Sequence, residues 1–173
     1  MLASTQIAGK PESYFFGTSF EGWRNDLEIE WDDKAPERNI IEKSFRAALV
    51  KGRNGTDTFG LRMQWHSFSF FLEKLAVLYP HASTDAERIH LAFGTTLFFY
   101  LNRPNKLEQA VSFLKALQTG LWHRSADGTE LERTAPHREP VYSTLEMQAC
   151  VDELISYDCS WNDWFLREGI EPV

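Results

Sequence analysis

The sequence has few of the residues that mark disulfide-bonded or metal-binding proteins. It contains 2 cysteines, Cys150 and Cys159, and 5 histidines among 173 residues. In a single predicted helix the two thiols would lie on opposite faces, about 13 Å apart along the axis, which is too far for a disulfide within the helix. The histidines show no paired spacing of the HExxH kind, so we expect no metal site.

Long hydrophobic runs are also missing. No apolar stretch reaches the roughly 18 residues that a transmembrane helix needs, and no charged n-region followed by an apolar h-region marks a signal peptide. Lys+Arg 18 against Asp+Glu 25 gives a net charge of −7, which argues against a nucleic-acid-binding or acidic-membrane protein. We therefore expect a cytoplasmic protein with no membrane span and no nucleic-acid partner.

The chain nevertheless has enough apolar material for a folded core. A hydrophobic fraction of 43% and an aromatic fraction of 14% exclude a disordered chain, and the length fits a single domain over residues 1–173. Glycine motifs of common nucleotide-binding loops, GxxxxGK[ST] and GxGxxG, do not occur.

Apolar residues at helical spacing predict five helices. Several carry end signals, such as Asn54-Gly55 after the first and capping boxes formed by Asn105 with Glu108 and by Ser143 with Glu146. The predicted helices cover residues 35–55, 67–80, 83–93, 105–118 and 143–169. An Asp127-Gly128 pair predicts the turn of a small hairpin.

Two segments are predicted strands. Thr58–Trp65 alternates apolar and polar residues, and the run Thr96–Leu101 is apolar throughout, as in a parallel strand with helices on both faces. "IEPV" at the end of the sequence resembles the start of another strand. Strands alternating with helices indicate an α/β domain with a parallel sheet, and this sheet is expected to lack strands at both ends.

Arg103 directly follows the predicted strand Thr96–Leu101, and Ser112 lies on the next helix. Ligands of open α/β sheets bind beyond the carboxyl ends of strands. A guanidinium offers paired donors to phosphate, and a helix N-terminus adds N–H groups and partial positive charge. The pair predicts an anion site; the alternative is a surface arginine and a solvent-facing serine.

Three further charged residues are candidates. Glu12, beside Tyr14 and other aromatic residues, could act as a general base if apolar surroundings raise its pKa, or could be a solvated loop acid. Arg62 is the one charge in a predicted strand and could contact a ligand or face solvent. Asp158 falls within 40° or so of the apolar stripe of the last helix, where a carboxylate needs a partner such as an arginine or a backbone amide.

Several segments, spread over nearly the whole chain, resemble the bacterial trehalose 2-sulfotransferase family. Its members transfer sulfuryl groups from 3′-phosphoadenosine-5′-phosphosulfate (PAPS) to sugar hydroxyls. The matching segments are "LASTQIAGKPESYFF", "TFGLRMQW", "NRPNKLEQAVSFLKALQTGLWH", "ADGTELER" and "DCSWNDWFLREGIEPV". The resemblance implies a P-loop-NTPase-like three-layer fold with a parallel sheet.

The resemblance also implies roles for individual residues. Across PAPS-dependent sulfotransferases an arginine at a strand end and a serine on the next helix bind the 3′-phosphate, which here would be Arg103 and Ser112. The family's base is an acid in a G-x-P-x-E loop, where this chain has Glu12 one place early and Ser13 at the matching position. Glu12 is the candidate base and Arg62 the candidate substrate-binding residue.

A second departure concerns the ends of the chain. The family opens with a strand and a P-loop-like segment, of the form R-S/T-G-S-T, that holds the 5′-phosphosulfate. The chain is expected to start beyond this segment and to stop before the C-terminal part. The expected function is sulfuryl transfer from PAPS to a sugar or glycolipid acceptor, without a metal and with homo-oligomerisation possible. The alternatives are a non-catalytic remnant that binds nucleotide weakly or serves as an interaction module, and a helical scaffold without a ligand.

Overall fold

The computed structural model describes residues 7–32 and 34–173, which contain six α-helices and a two-stranded sheet. The helices are α1 (Phe20–Leu27), α2 (Glu37–Arg53), α3 (Trp65–Leu78), α4 (Asp85–Phe93), α5 (Lys106–Thr119) and α6 (Thr144–Glu168). The strands β1 (Leu121–Arg124) and β2 (Glu130–Arg133) pair antiparallel. The chain thus has a mixed α/β structure. The stretch before Ile7, where the resemblance predicts the tail of a helix, lies outside the described residues.

The N-cap bonds of both predicted capping boxes form. Asn105 accepts a hydrogen bond from the backbone N–H of Glu108 at 3.1 Å, and the Ser143 hydroxyl accepts one from the N–H of Glu146 at 3.3 Å. Asn54 ends α2 with φ of 47°. These residues satisfy backbone groups that a helix end leaves without partners, which is why local sequence placed the ends well.

The described chain divides into two compact units, the first reaching Phe98 and also holding Glu168–Ile170. The core of this unit is aromatic. The ring of Phe15 lies 4.8 Å from that of Trp23, 4.7 Å from Phe45 and 5.2 Å from Phe71. Phe15 follows the segment that carries Glu12 and is 1% exposed, so the core anchors one end of that segment.

The second unit comprises Phe99–Arg167 and Glu171–Val173. Its buried residues are few, among them Ala110 on α5 and Trp164 and Phe165 on α6. The hairpin β1–β2 turns at Gly128, which has φ of 90°, as the Asp127-Gly128 pair predicts. The expectation of one domain over residues 1–173 stays a prediction.

Both strand predictions are wrong for the described residues. At 58–65 only an isolated parallel bridge forms, between Leu61 and Glu12, and α3 already begins at Trp65. The run Thr96–Leu101 is not a strand, and Leu101 is 86% exposed. A strand needs neighbours for its hydrogen bonds. The Tyr100 N–H donates to the Val173 carbonyl at 3.0 Å, but this bond does not form part of a sheet.

The apolar spacing in α5 predicts that Leu107, Ala110, Val111, Leu114 and Leu117 face inward, and this is only partly confirmed. Ala110 is fully buried, but Leu107 and Leu117 are 57% and 50% exposed. Helical periodicity identifies which side chains share a face, but not whether the rest of the chain covers that face. Within the described part of the chain, no helix is long and apolar enough to cross a membrane.

Gly9 supplies a test of how the segment before Phe15 is held. Its φ is 63°, and a Cβ there would overlap the carbonyl oxygens of Gly52 and Thr58. Gly9→Ala should therefore lower the free energy of unfolding by more than about 3 kcal/mol, measured by urea denaturation. Gly55→Ala is the control, because Gly55 has φ of 81° but no atom near its Cβ position, so only backbone strain of about 1 kcal/mol applies. Equal losses of unfolding free energy in the two variants would contradict the close approach of Gly9 to the carbonyl oxygens of Gly52 and Thr58.

Candidate functional site

The segment Gly9–Tyr14 is fixed by its backbone. The Lys10 N–H donates to the Gly52 carbonyl at 2.8 Å, and the Arg62 N–H donates to the Glu12 carbonyl at 3.0 Å. The Tyr14 hydroxyl donates to the Lys10 carbonyl at 2.6 Å. Because the bonds to Gly52 and from Arg62 join distant parts of the sequence, Glu12 and Arg62 lie side by side although neither belongs to a regular strand.

A polar cleft opens beside this segment. Its volume is about 390 Å³. The lining residues are Pro11, Glu12, Ser13, Tyr14, Asp26 and Arg62. The structure therefore brings together two residues selected from the sequence, Glu12 and Arg62, and adds Asp26, which the sequence did not single out. Carboxylates, a guanidinium and a hydroxyl are the groups that exchange hydrogen bonds with a polyhydroxylated ligand.

Glu12 is held only loosely at its carboxylate. Its Oε1 lies 3.0 Å from Lys10 Nζ, and the two side chains are 51% and 53% exposed. An exposed ion pair of this kind contributes about 0–1 kcal/mol. The carboxylate can therefore leave Lys10 and turn to a ligand in the cleft at little cost.

Ser13 has the more defined environment. Its Oγ accepts a hydrogen bond from Arg62 Nε at 2.9 Å and another from Gln64 Nε2 at 2.7 Å. A hydroxyl oxygen has two acceptor sites and one donor, so both acceptor sites are filled and the proton remains available to a ligand. Ser13 is thus a hydrogen-bond donor, not a proton acceptor. The sequence analysis did not select Gln64. Its polar side chain in the alternating segment 58–65 is the one feature by which the sequence could have pointed to it.

Two pKa shifts occur in the cleft. Partial burial of the carboxyl group raises the pKa of Asp26, and Lys51 opposes this shift, although Asp26 as a residue is exposed. Burial, with the charge of Glu12 adding to it, raises the pKa of Tyr14 to about 12. Tyr14 is therefore neutral at physiological pH.

Arg103 and Ser112 lie in the second unit, and both are exposed. Across residues 7–32 and 34–173, no hydrogen bond or ion pair involves the Arg103 guanidinium. Ser112 lies on the same side of α5 as the cap Asn105, about 10 Å along the axis. Glu108 also shares that face, one turn before Ser112. A cation without a partner near a capped helix N-terminus can bind an anion.

Asp158 does have a partner, as its position in an apolar stripe requires. Its Oδ2 lies 2.5 Å from Lys106 Nζ, with the two side chains 25% and 14% exposed. The sequence predicted an arginine or a backbone amide, and the partner is a lysine. Burial raises the pKa of nearby Tyr100 to about 12, and the nearby carboxylate of Asp158 adds to this shift. Neither helical angles nor spacing identifies Lys106, because the contact joins two helices far apart in sequence.

The donor pair around Ser13 makes a prediction about charge. Arg62 Nε and Gln64 Nε2 should favour a carboxylate at position 13, since hydrogen bonds to charged acceptors are stronger than those to neutral ones. Arg62→Gln should therefore lower the free energy of unfolding by about 0.5–1 kcal/mol more in the Ser13→Asp variant than in the parent. A double-mutant cycle by chemical denaturation at low salt measures this difference. Ser13→Asn is the uncharged control, for which no added coupling is expected. Equal costs in all three backgrounds would contradict the donor geometry.

Comparison with known proteins identifies the family. The family model "Sulphotransf: Stf0 sulphotransferase" matches residues 1–173. Trehalose 2-sulfotransferase of Mycobacterium tuberculosis (strain ATCC 35801 / TMC 107 / Erdman) is 27% identical over 177 residues, which cover 99% of this chain and 62% of that protein. Trehalose 2-sulfotransferase of Mycolicibacterium smegmatis (strain ATCC 700084 / mc(2)155) is 23% identical over 124 residues, which cover 70% of this chain and 44% of that protein. The chain spans less than two thirds of the length of either curated relative. Because the family model matches the whole chain, the chain belongs to the Stf0 sulphotransferase family.

Proposed function

We propose that this chain takes part in sulfuryl transfer from PAPS to a hydroxyl group of a carbohydrate. Family membership supports the reaction class. The observation that carries the proposal is Arg103, an exposed guanidinium without a partner among the described residues, two positions before the cap of α5. The names of the two relatives, both trehalose 2-sulfotransferases, make trehalose the first acceptor to test.

The 3′-phosphate of the nucleotide is assigned to Arg103 and Ser112. The guanidinium supplies planar paired donors that suit phosphate oxygens, and the Ser112 hydroxyl supplies another donor. The partial positive charge at the start of α5 favours the anion. The negative charge of Glu108 disfavours phosphate binding, because its carboxylate lies on the same face of the helix as Ser112.

The acceptor sugar is assigned to the cleft that contains Glu12. Glu12 would accept the proton of the attacking hydroxyl while the new S–O bond forms and the S–O bond to the 5′-phosphate breaks. Arg62 and Asp26 would hold other hydroxyl groups, and Ser13 would donate a hydrogen bond. Glu12 is assigned as base instead of Ser13 because both acceptor sites of the Ser13 oxygen are occupied.

We also propose a specific fold for the chain. A three-layer P-loop-NTPase-like fold with a parallel sheet follows from the resemblance. The parallel bridge between Glu12 and Leu61 and the hydrogen bond from the Tyr100 N–H to the Val173 carbonyl support it. The cytoplasmic location, the absence of a metal, a glycolipid acceptor and homo-oligomerisation stay predictions.

Arg103 is tested by nucleotide binding. Arg103→Ala should weaken binding of 3′,5′-ADP by about 10- to 100-fold, the worth of a charge-assisted pair, and should leave 5′-AMP binding unchanged. Isothermal titration calorimetry or NMR titration measures both ligands. Arg46→Ala is the control, since Arg46 is an exposed arginine on α2, and Glu108→Gln should tighten 3′,5′-ADP binding by removing a negative charge.

Two results would count against the nucleotide site. If the parent chain does not distinguish 3′,5′-ADP from 5′-AMP, Arg103 does not bind a 3′-phosphate. If it binds neither, the helical scaffold becomes the better description. Nucleotide binding without any sulfuryl transfer would favour the non-catalytic module.

Glu12 and Ser13 are separated as candidate bases by turnover. Glu12→Gln should lower kcat for sulfuryl transfer to trehalose by about 10²- to 10⁴-fold, the usual contribution of general-base catalysis. Ser13→Ala should lower it less than about tenfold, because it removes only a hydrogen-bond donor. Transfer of radiolabelled sulfate from PAPS gives the rate. A larger loss of kcat in Ser13→Ala than in Glu12→Gln would contradict the assignment of Glu12 as the base.

A further inference from the structure

Lys106, the first residue of α5, is tied to three side chains. Its Nζ lies 2.5 Å from Asp158 Oδ2 on α6, 2.7 Å from Asn102 Oδ1 and 3.5 Å from Gln109 Oε1. The Lys106 side chain is 14% exposed. This lysine therefore joins three parts of the second unit at one point: the segment before Arg103, the first turn of α5 and the middle of α6.

The donors of Lys106 are fully used by these contacts. An ammonium group has three N–H bonds and no acceptor site, and three oxygen atoms surround this one. A lysine at a helix N-terminus beside an anion site would ordinarily be assigned to the anion itself. Here the ammonium points into the unit, toward Asp158, so Lys106 is a structural link and Arg103 alone presents positive charge on this turn.

The turn that carries Arg103 is fixed on both sides. Asn102, immediately before it, is held by Lys106. Asn105, two residues after it, caps α5 through the N–H of Glu108, and Pro104 restricts the backbone between them. Only the Arg103 side chain is left without a described partner. The Lys106 link therefore holds the turn on the N-terminal side of Arg103, and the Asn105 cap holds it on the C-terminal side.

Asp158 determines whether that link exists. Its carboxylate makes the shortest of the three contacts, and the pair is mostly shielded from solvent, so removing one partner leaves a buried charge uncompensated. Without Asp158 the Lys106 ammonium would turn toward water and release Asn102. Arg103 would then have to be ordered when the ligand binds, which costs affinity.

We propose that Asp158 is a positioning residue for the 3′-phosphate site, acting through Lys106 and Asn102 on Arg103. The inference rests on the proposed function for the identity of the anion. The positional part, that Asp158 orders the turn 102–105, is independent of any ligand. The two parts have separate readouts.

The ligand readout is the preference for the 3′-phosphate. Asp158→Asn should weaken 3′,5′-ADP binding by about 5- to 30-fold while changing 5′-AMP binding less than twofold. A general loss of structure would weaken both nucleotides alike. Asp158→Glu, which keeps the charge, should restore part of the preference, and Asp163→Asn, which removes a charge from an exposed position on the same helix, should leave it unchanged. An equal loss for both nucleotides would overturn the positioning role.

The structural readout is amide hydrogen exchange. In Asp158→Asn, peptides covering residues 100–106 should exchange at least tenfold faster, while those from the first unit keep the parent rate. If the parent shows no 3′-phosphate preference, the proposed function fails, but faster exchange still supports the link. Unchanged exchange overturns it. Asn102→Ala breaks the contact between Lys106 and Asn102 at an exposed site and leaves no buried charge without a partner. It should produce the same change in exchange, and it tests the link even if Asp158→Asn does not fold.

Discussion

The arrangement of the first unit depends on how closely the backbone of the Gly9–Tyr14 segment approaches the end of α2. The Gly52 carbonyl accepts from the Lys10 N–H at 2.8 Å and from the Gly60 N–H at 3.4 Å. Three chain segments thus meet at one oxygen atom, and side chains at Gly9, Gly52 or Gly60 would collide with their neighbours. This contact sets the register that places Glu12 beside Leu61 and turns Arg62 toward Ser13.

The local features of the fold could be predicted from the sequence. Asn105 and Ser143 form caps that act within three residues, so a short pattern contains all the information that fixes the helix start. The hairpin follows equally from Asp127-Gly128. One helix, α1, was not predicted, although Ser19 caps it by accepting from the Gly22 N–H at 3.2 Å; its brevity gives the periodic pattern little length.

Most of the other features that could not be predicted depend on distant contacts. The alternation Phe59, Leu61, Met63 resembles a strand, but these residues border a backbone junction with one parallel bridge. In the candidate sites, Glu12, Arg62 and Arg103 were selected by residue type and position. Gln64 and Lys106 were not selected, because their importance depends on which oxygen atoms they contact. Gln64, for example, donates to Ser13, which is 51 residues away in the sequence.

The cradle formed by Arg62 and Gln64 around Ser13 has an evolutionary consequence. Two N–H donors converging on one oxygen atom accept either a hydroxyl or a carboxylate at that position without a change of backbone. A substitution at position 13 could therefore exchange a neutral donor for a proton-accepting group in one step, with the surrounding residues already in place. Under the proposed assignment of Glu12 as the base, a substitution at position 13 would place a second carboxylate beside it in the same loop while the fold stays constant.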